Sequence, residues 1–214
     1  MTPELEDYIE RHISDQPENL KEIDRRSNLY HINGRMCSGH IQGRLLKMLT
    51  SMIAPKRVIE LGTFTGYSAL CIAEALAPDA ELHTVEVDDE LQEEILENFN
   101  NSEFGRLIRL HIGDALEVME YFEEGYFDMA VIDADKRKYT DYFKVLLRKL
   151  KPGGFIIADN TLWDGHVTET GRHSSQTNGI LEFNSLVKNT PEVEISILPV
   201  RDGITLIRKT PRKA

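Results

Sequence analysis

Cysteine is scarce in this sequence: among 214 residues only Cys37 and Cys71 occur. No disulfide framework or cysteine-based zinc site can be built from them. Apolar runs of the roughly 20 residues that a membrane span requires are also missing. The N-terminal stretch, MTPELEDYIERHISDQ, is acidic and polar, unlike a secretory signal. These absences predict a cytoplasmic protein with no membrane partner.

Positively charged residues are fewer than negatively charged ones. There are 25 Lys and Arg residues against 36 Asp and Glu, and the net charge is −11. This disfavours wide nucleic-acid contacts, which need clustered cations. Basic residues gather only at 136–138 and in the tail at 208–213. We interpret both runs as solvated surface; a phosphate-binding patch is the alternative.

The first part of the chain, residues 1–53, contains no strand-like run. Its apolar residues recur at helical spacing, and a third helix is predicted from about His40 to Ile53, ending before Pro55. We expect this helical segment to pack on a core formed by residues 54–214, on the acceptor or dimer side. Length and composition, with 41% apolar residues, fit one domain overall.

From residue 57 onward, short apolar runs alternate with helical patterns. The alternation predicts a doubly wound, mostly parallel sheet. The predicted strands are 57–61, 81–86, 107–112, 127–132 and 155–158, the predicted helices are 66–77, 89–99, 115–122 and 139–150, and residues 151–154 form a turn before the fifth strand.

The chain ends differently. Two strands, 193–198 and 204–207, are separated by a segment that contains Asp202-Gly203, a hairpin signal. They complete a seven-stranded sheet with an antiparallel hairpin at one edge. This arrangement is typical of S-adenosylmethionine (SAM)-dependent methyltransferases rather than of dehydrogenase-type Rossmann domains.

A glycine-containing turn follows the first strand. Its spacing, Gly62 to Gly66, is G-x-x-x-G and not the dinucleotide pattern G-x-G-x-x-G. Glu60 would repel a pyrophosphate but could accept a hydrogen bond from an ammonium or an ordered water. Glu86 ends the second strand, where an acid holds ribose hydroxyls in such folds, and Ala115 follows the third, where an adenine would lie. Helix capping is the alternative for Glu86.

Acidic and amide side chains follow the next two strands. Asp133 and Asp135 end one, with Lys136 beside them, and Asp159-Asn160 end the other. Two carboxylates and an amide oxygen suit a hard cation, Mg²⁺ first and Mn²⁺ or Ca²⁺ as alternatives. A purely capping role would need only one carboxylate, so we favour a cation site at Asp133, Asp159 and Asn160.

With these motifs in order, the chain resembles the cation-dependent O-methyltransferases of the catechol and caffeoyl-CoA type over about residues 30–208. The likeness is carried by ELGTFTGYS at 60–68, IDADK at 132–136 with Tyr139, ADNTLW at 158–163 and LPVRDGIT at 198–205. The resemblance implies metal ligation by Asp133, Asp159 and Asn160. It implies SAM contacts at Ser38, Glu60, Gly62, Thr63, Ser68, Glu86, Ala115 and Asp135.

The resemblance also implies roles around the acceptor. Lys136 matches a lysine that acts as general base or orients the substrate, and Asp133 stands beside it at the reacting centre. Trp163 and Asp164 lie at substrate-contacting positions, where the family often has Asn in place of Asp164. Plant members begin with a longer segment carrying a substrate-contacting lysine. Both departures disfavour a CoA thioester acceptor.

We therefore predict methyl transfer to a hydroxyl of a small catechol-like acceptor. A cation should favour the acceptor's anion, and it should lower the pKa of Lys136 so that this residue takes the proton. Met36, Trp163, Tyr139 and a polar loop at 164–178 should shape the acceptor pocket. The resemblance also suggests a homodimer.

Three alternatives stay open at this point. The same catalytic core could methylate 5-hydroxyuridine in tRNA, as some bacterial members of the family are thought to do. A nicotinamide-dependent oxidoreductase is opposed by the glycine spacing, Glu60 and the terminal hairpin. A non-catalytic SAM-binding scaffold is opposed by the complete set of acids and Lys136 in one crevice.

Overall fold

The structure, a computed structural model, describes residues 2–211. Arg212 and Lys213 of the basic tail lie outside the described residues. The strands form a seven-stranded sheet in the order β3-β2-β1-β4-β5-β7-β6. They are β1 (Arg57–Leu61), β2 (Glu81–Glu86), β3 (Ile108–Ile112), β4 (Phe127–Ile132), β5 (Leu150–Ala158), β6 (Val193–Leu198) and β7 (Ile204–Lys209). The helices are α1 (Pro3–Glu10), α2 (Glu18–Tyr30), α3 (Gly39–Ile53), α4 (Tyr67–Ala73), α5 (Gln92–Asn100), α6 (Ala115–Met119), α7 (Tyr139–Lys149) and α8 (Ser175–Lys188).

Both faces of the sheet are covered by helices, which explains the unbroken apolar runs in the central strands. Ile59 of β1 packs in one cluster with Phe143 of α7 and Phe183 of α8. Its neighbour Val58 points the other way, into a second cluster with Leu70 of α4. Successive strand residues thus bury side chains on opposite faces.

Strand directions agree with the prediction. β1 runs parallel to β2 and β4, and β4 runs parallel to β5. β7 is antiparallel to both β5 and β6. The doubly wound sheet with an antiparallel hairpin at one edge is therefore confirmed.

Two local predictions were wrong. Residues 151–154 were expected to form a turn before the fifth strand, but β5 already begins at Leu150. Leu150 pairs with Phe127 and Phe155 pairs with Met129, so the residues between them bulge opposite Asp128. Gly153 has a φ of 87°, which permits the bulge.

The other error concerns the loop expected at 164–178. Its first part forms a 3-10 segment, Trp163–Thr168, and α8 begins at Ser175. The Ser174 hydroxyl caps α8 by accepting from Thr177 N at 3.1 Å. Ile180, Phe183 and Val187 of α8 are buried at helical spacing. That spacing was readable in the sequence.

Helices α2 and α3, which precede β1, pack against α4. Leu20, Ile23 and Leu46 share one buried cluster with Leu70. Gly43 of α3 allows close approach, because a Cβ there would lie 2.8 Å from Cys71 Sγ. The boundary between residues 53 and 54 stays a prediction. No helix in the described part of the chain combines the length and the apolar character needed to cross a membrane.

Candidate active site

The site lies where the strand order reverses, at the carboxyl ends of β1 and β4. From β1 the chain continues to β2 and β3 on one side, and β4 and β5 lie on the other. Backbone bonds extend the ladder past the strand ends: Asp133 N donates to Leu61 O and Asp159 N donates to Ile132 O, both at 2.9 Å. In open α/β sheets this switch point is where ligands bind.

A cavity of about 810 Å³ opens at this edge. It is lined by most of the residues predicted from the sequence: Ser38, Gly62, Thr63, Ser68, Glu86, Ala115, Asp133, Asp135, Lys136, Asp159, Asn160 and Trp163. Glu60, Asp164 and Tyr139, which were also predicted for the site, do not line it. The topology thus gathers residues from five strand ends and the start of α3 around one space.

Gly62 begins the loop after β1, and no other residue fits there. Its φ is 94°, and a Cβ would lie 1.9 Å from the Asp133 carbonyl oxygen. The loop after β1 and the acidic segment after β4 therefore touch through backbone. A side chain at position 62 would separate them.

Glu86 holds the same loop from the other side. One carboxylate oxygen accepts from Thr63 N at 3.1 Å and Phe64 N at 2.8 Å. The other accepts from Val87 N at 2.9 Å and Asp88 N at 3.0 Å. These four bonds fill the usual acceptor sites of a carboxylate. Glu86 lines the cavity, but its predicted ribose contact would have to share an oxygen with the backbone.

Glu60 lies beneath the cavity, 0% exposed. Thr84 Oγ1 donates to its Oε2 at 2.6 Å, whereas Oε1 has no partner among the described residues. Burial raises the pKa of Glu60 to about 7, although the hydrogen bond from Thr84 opposes the shift. A second cavity of about 10 Å³ adjoins Glu60 and Asp159, enough for one water. Of the two partners expected for Glu60, the geometry favours an ordered water.

Asp159 and Asn160 follow β5 and line another side of the cavity. Asp159 is 6% exposed, and its Oδ1 accepts from Asn160 N at 2.7 Å. Burial and the charge of Asp133 raise the pKa of Asp159. Asn160 Nδ2 donates to Asp202 Oδ2 at 3.3 Å, and no hydrogen bond among residues 2–211 uses its Oδ1.

These features fit a divalent cation. Two neighbouring carboxylates repel each other, and a cation would relieve that repulsion. Among the described residues no cluster of three His, Cys, Asp or Glu side chains could hold a metal. A divalent cation held by Asp133 and Asp159 would need the amide oxygen of Asn160 as its third protein ligand.

Lys136 is buried against the same acids. Its Nζ donates to Asp133 Oδ1 at 2.8 Å and lies 5.1 Å from the centre of the Tyr139 ring. Burial works to lower the pKa of Lys136, but Tyr139 and Asp133 outweigh it and raise the pKa above its ordinary value. The protein's own charges thus oppose the lowering of the Lys136 pKa that was predicted from the sequence.

Comparison with known proteins identifies the family. Residues 10–210 match the family model described as O-methyltransferase. The chain belongs to this family. It is 35% identical over 205 residues to caffeoyl-CoA O-methyltransferase 2 of Zea mays, covering 91% of this chain and 77% of that one. The Petroselinum crispum caffeoyl-CoA O-methyltransferase is 34% identical, with 91% and 85% covered.

A solved structure agrees. The O-methyltransferase TomG from Streptomyces achromogenes, involved in tomaymycin synthesis and solved in complex with SAM, superposes with a TM-score of 0.90 at 25% identity, covering 98% of this chain and all of that one. The chain is thus a SAM-dependent O-methyltransferase of the caffeoyl-CoA type. This is evidence against the nicotinamide-dependent alternative.

The basic run of this methyltransferase is paired residue by residue. Arg137 binds the Asp135 carboxylate, with Nη2 2.6 Å from Oδ2. Lys138 Nζ donates to Asp114 Oδ2 at 2.7 Å, and Lys136 pairs with Asp133. Asp135 is therefore engaged by Arg137 where a SAM contact was predicted, and it also caps the 3-10 segment Lys136–Lys138.

Sequence reasoning missed three residues of the methyltransferase site. Gln42 binds Asp159, while Arg201 and Asp202 reach the cavity from the β6–β7 turn. Asp202 lies beside Asp164. Burial is the main cause that raises the pKa of Asp202, and the neighbouring Asp164 carboxyl adds to it. The sequence predicted this turn from Asp202-Gly203, but no feature of the turn indicated that its residues line the cavity. Gln42 had no signal, since it lies within a helical pattern.

Proposed function

We propose that this methyltransferase acts on a hydroxyl of a small catechol-like acceptor and requires a divalent cation held by Asp133, Asp159 and Asn160. One observation supports this above the others. Two acids, one of them buried, follow adjacent strands and line the cavity next to the Gly62 loop. A buried carboxylate next to a second acid is costly without a cation to balance its charge.

The site suits Mg²⁺ first, with Mn²⁺ or Ca²⁺ as alternatives, because its donors are all oxygens. A divalent cation bound here would supply positive charge that favours the deprotonated form of a nearby acceptor hydroxyl. A vicinal diol suits the site, since two oxygens can approach the same charge.

The chain's own residues then position the reactants. The Gly62 loop, held by Glu86, would seat SAM, and Lys136 would hold Asp133 and present an ammonium to the acceptor oxygen. In the transfer, the acceptor oxygen loses its proton to solvent and forms the new C–O bond. The C–S bond breaks and its electron pair stays on sulfur, leaving S-adenosylhomocysteine. Alignment of oxygen, carbon and sulfur supplies the rest of the acceleration.

The acceptor pocket would be apolar and aromatic on one side. Trp163 and the exposed Met36 line the cavity, whereas the predicted Tyr139 is fully buried and donates to Asp159 O at 3.0 Å. Asp164 stands at the edge, in contact with Asp202. These features support a hydroxylated aromatic ring as the group that enters.

The test is SAM turnover against catechols, flavonoids, caffeoyl esters and bulk tRNA, with and without EDTA. We expect EDTA to abolish turnover of a vicinal diol and added Mg²⁺ to restore it. Asp159→Ala should be inactive, while Asp141→Ala, an exposed acid of α7 paired with Lys144, should match wild type. Full turnover by Asp159→Ala would contradict the cation site.

The tRNA alternative gains no support from the relatives named above. Lys136, Arg137 and Lys138 each pair with an acid, which leaves less positive charge for phosphates. Mass spectrometry of hydroxyuridine-derived nucleosides from a deletion strain would nevertheless reveal such an activity.

We further propose a homodimer. Met48 and Met52 of α3 are 60% and 75% exposed, and Leu29 and Tyr30 of α2 are exposed as well. Large apolar side chains exposed on helices are typical of an interface. Light scattering should give twice the chain mass, and Met52→Glu should reduce it. The cytoplasmic location stays a prediction.

A further inference from the structure

Gln42 is a buried polar residue that the proposed chemistry leaves without a role. It lies in the first turn of α3 and is 3% exposed. Its Nε2 donates to Asp159 Oδ2 at 2.6 Å, across 117 positions of sequence. The bond joins the N-terminal helices directly to a residue of the cation site.

Asp159 is consequently held at both carboxylate oxygens. Oδ1 accepts from Asn160 N and Oδ2 accepts from Gln42. A carboxylate fixed at both oxygens cannot rotate, and its remaining lone pairs keep one direction. Gln42 and Asp159 both line the small cavity that adjoins Asp133.

The amide of Gln42 is itself oriented by Arg201. Arg201 Nη1 donates to Gln42 Oε1 at 3.4 Å and also to the carbonyl oxygens of Cys37, at 3.3 Å, and Ser38. Because a guanidinium only donates, Gln42 must turn its oxygen to Arg201 and its NH₂ to Asp159. A side chain with one acceptor and one donor end is what this position requires.

We propose that Gln42 is a positioning residue for the cation site and that Arg201 sets its orientation. This rests on the proposed cation requirement. Hydrogen bonds to metal-ligating carboxylates fix the ligand before the ion binds, and their loss typically weakens metal affinity about 10–100-fold. Gln42 has no contact with the Gly62 loop among the hydrogen bonds of the described residues, so SAM affinity should not depend on it.

The experiment measures Mn²⁺ binding by calorimetry and by the EPR signal of free Mn²⁺, with SAM present and no acceptor. Gln42→Met keeps the length of the side chain and removes both polar atoms. Gln42→Asn keeps the amide but is too short to reach Asp159. Thr50→Val is the matched control, because Thr50 is a buried polar residue of the same helix whose hydroxyl donates to Leu46 O at 2.8 Å, away from Asp159.

We expect both Gln42 variants to bind Mn²⁺ about 10–100-fold more weakly than wild type, with an unchanged Kd for SAM. Thr50→Val should keep the wild-type Mn²⁺ affinity. If Gln42→Met does not fold, the Mn²⁺ affinity of Gln42→Asn tests the proposal. Unchanged Mn²⁺ affinity in a folded Gln42 variant would overturn the role of Gln42 and leave the cation site standing. No Mn²⁺ binding to wild type would overturn the cation site itself and the role of Gln42 with it.

Discussion

The Lys136 ammonium lies 2.8 Å from the Asp133 carboxylate, three residues away along the chain. Both side chains line the cavity, and the lysine is the more deeply buried of the two. Because the pKa of Lys136 is raised, the side chain is protonated at neutral pH in the free protein. This pairing favours an orienting role for Lys136 over that of a general base.

Lys136→Met should therefore lower kcat by about 100-fold, because the cavity loses a fixed positive charge next to the reacting oxygen. The Kd for SAM, measured by calorimetry, should stay close to wild type. Lys136→Arg should retain more activity than Lys136→Met, since arginine remains charged but does not act as a base. Equal inactivity of the two variants would instead indicate a base. Lys144→Met, on the exposed face of α7, is the control.

Glu86→Gln should weaken SAM binding and the fold together. One oxygen that now accepts two backbone N–H groups would become an NH₂ facing those donors. Unsatisfied buried N–H groups cost about 1–3 kcal/mol each, so with two of them we expect a loss of about 2–6 kcal/mol in urea unfolding. A higher Kd for SAM should accompany it. Glu90→Gln, an exposed neighbour, should change neither quantity, and a wild-type Kd for Glu86→Gln would contradict this account of the loop.

Gly62→Ala should be far more damaging than a glycine substitution elsewhere. The new Cβ would meet the Asp133 carbonyl oxygen at 1.9 Å in a left-handed conformation. We expect a loss above about 3 kcal/mol in the free energy of unfolding, or no folded protein. Gly125 has a φ of 66° but open space around its Cβ position. Gly125→Ala should cost only about 1–2 kcal/mol, and equal costs at the two sites would refute the packing argument.

Stability should fall in mild acid because of two histidines outside the active site. His83 Nδ1 lies 2.9 Å from His111 Nε2, and burial lowers the pKa of both. Below the ordinary value of 6.5 the unfolded chain binds protons that the folded protein does not. The pair's contribution is therefore complete above pH 6.5 and is lost as the pH falls through the lowered values.

Urea unfolding between pH 8 and pH 5 measures this effect. His111→Gln should have a shallower loss of unfolding free energy than wild type over that range. The comparison between the two proteins cancels other groups, including Glu60, whose raised pKa acts in the opposite direction. Parallel pH profiles would show that the histidine pair carries no such dependence.

Local sequence determined much of this fold. The predicted bounds of β1, β2, β4 and β6 agree with the structure, because short apolar runs closed by turn residues specify buried strands. The acids after β4 and β5 could be assigned to one edge for a general reason, since carboxyl ends of parallel strands share an edge. The same reasoning placed most of the site residues around one cavity.

Only the tertiary structure decided the interactions among those residues. Glu86 proved to be bound by four backbone N–H groups, and Asp135 by Arg137, because neighbouring loops supply partners that strand patterns do not reveal. The sign of the Lys136 pKa shift depended on how burial balanced against Asp133 and Tyr139. Gln42, separated from Asp159 by most of the chain, reaches it only because α3 packs beside the end of β5. Residue type and spacing specify which strands carry acids, whereas the partner of each acid is set by distances that exist only once the chain has folded.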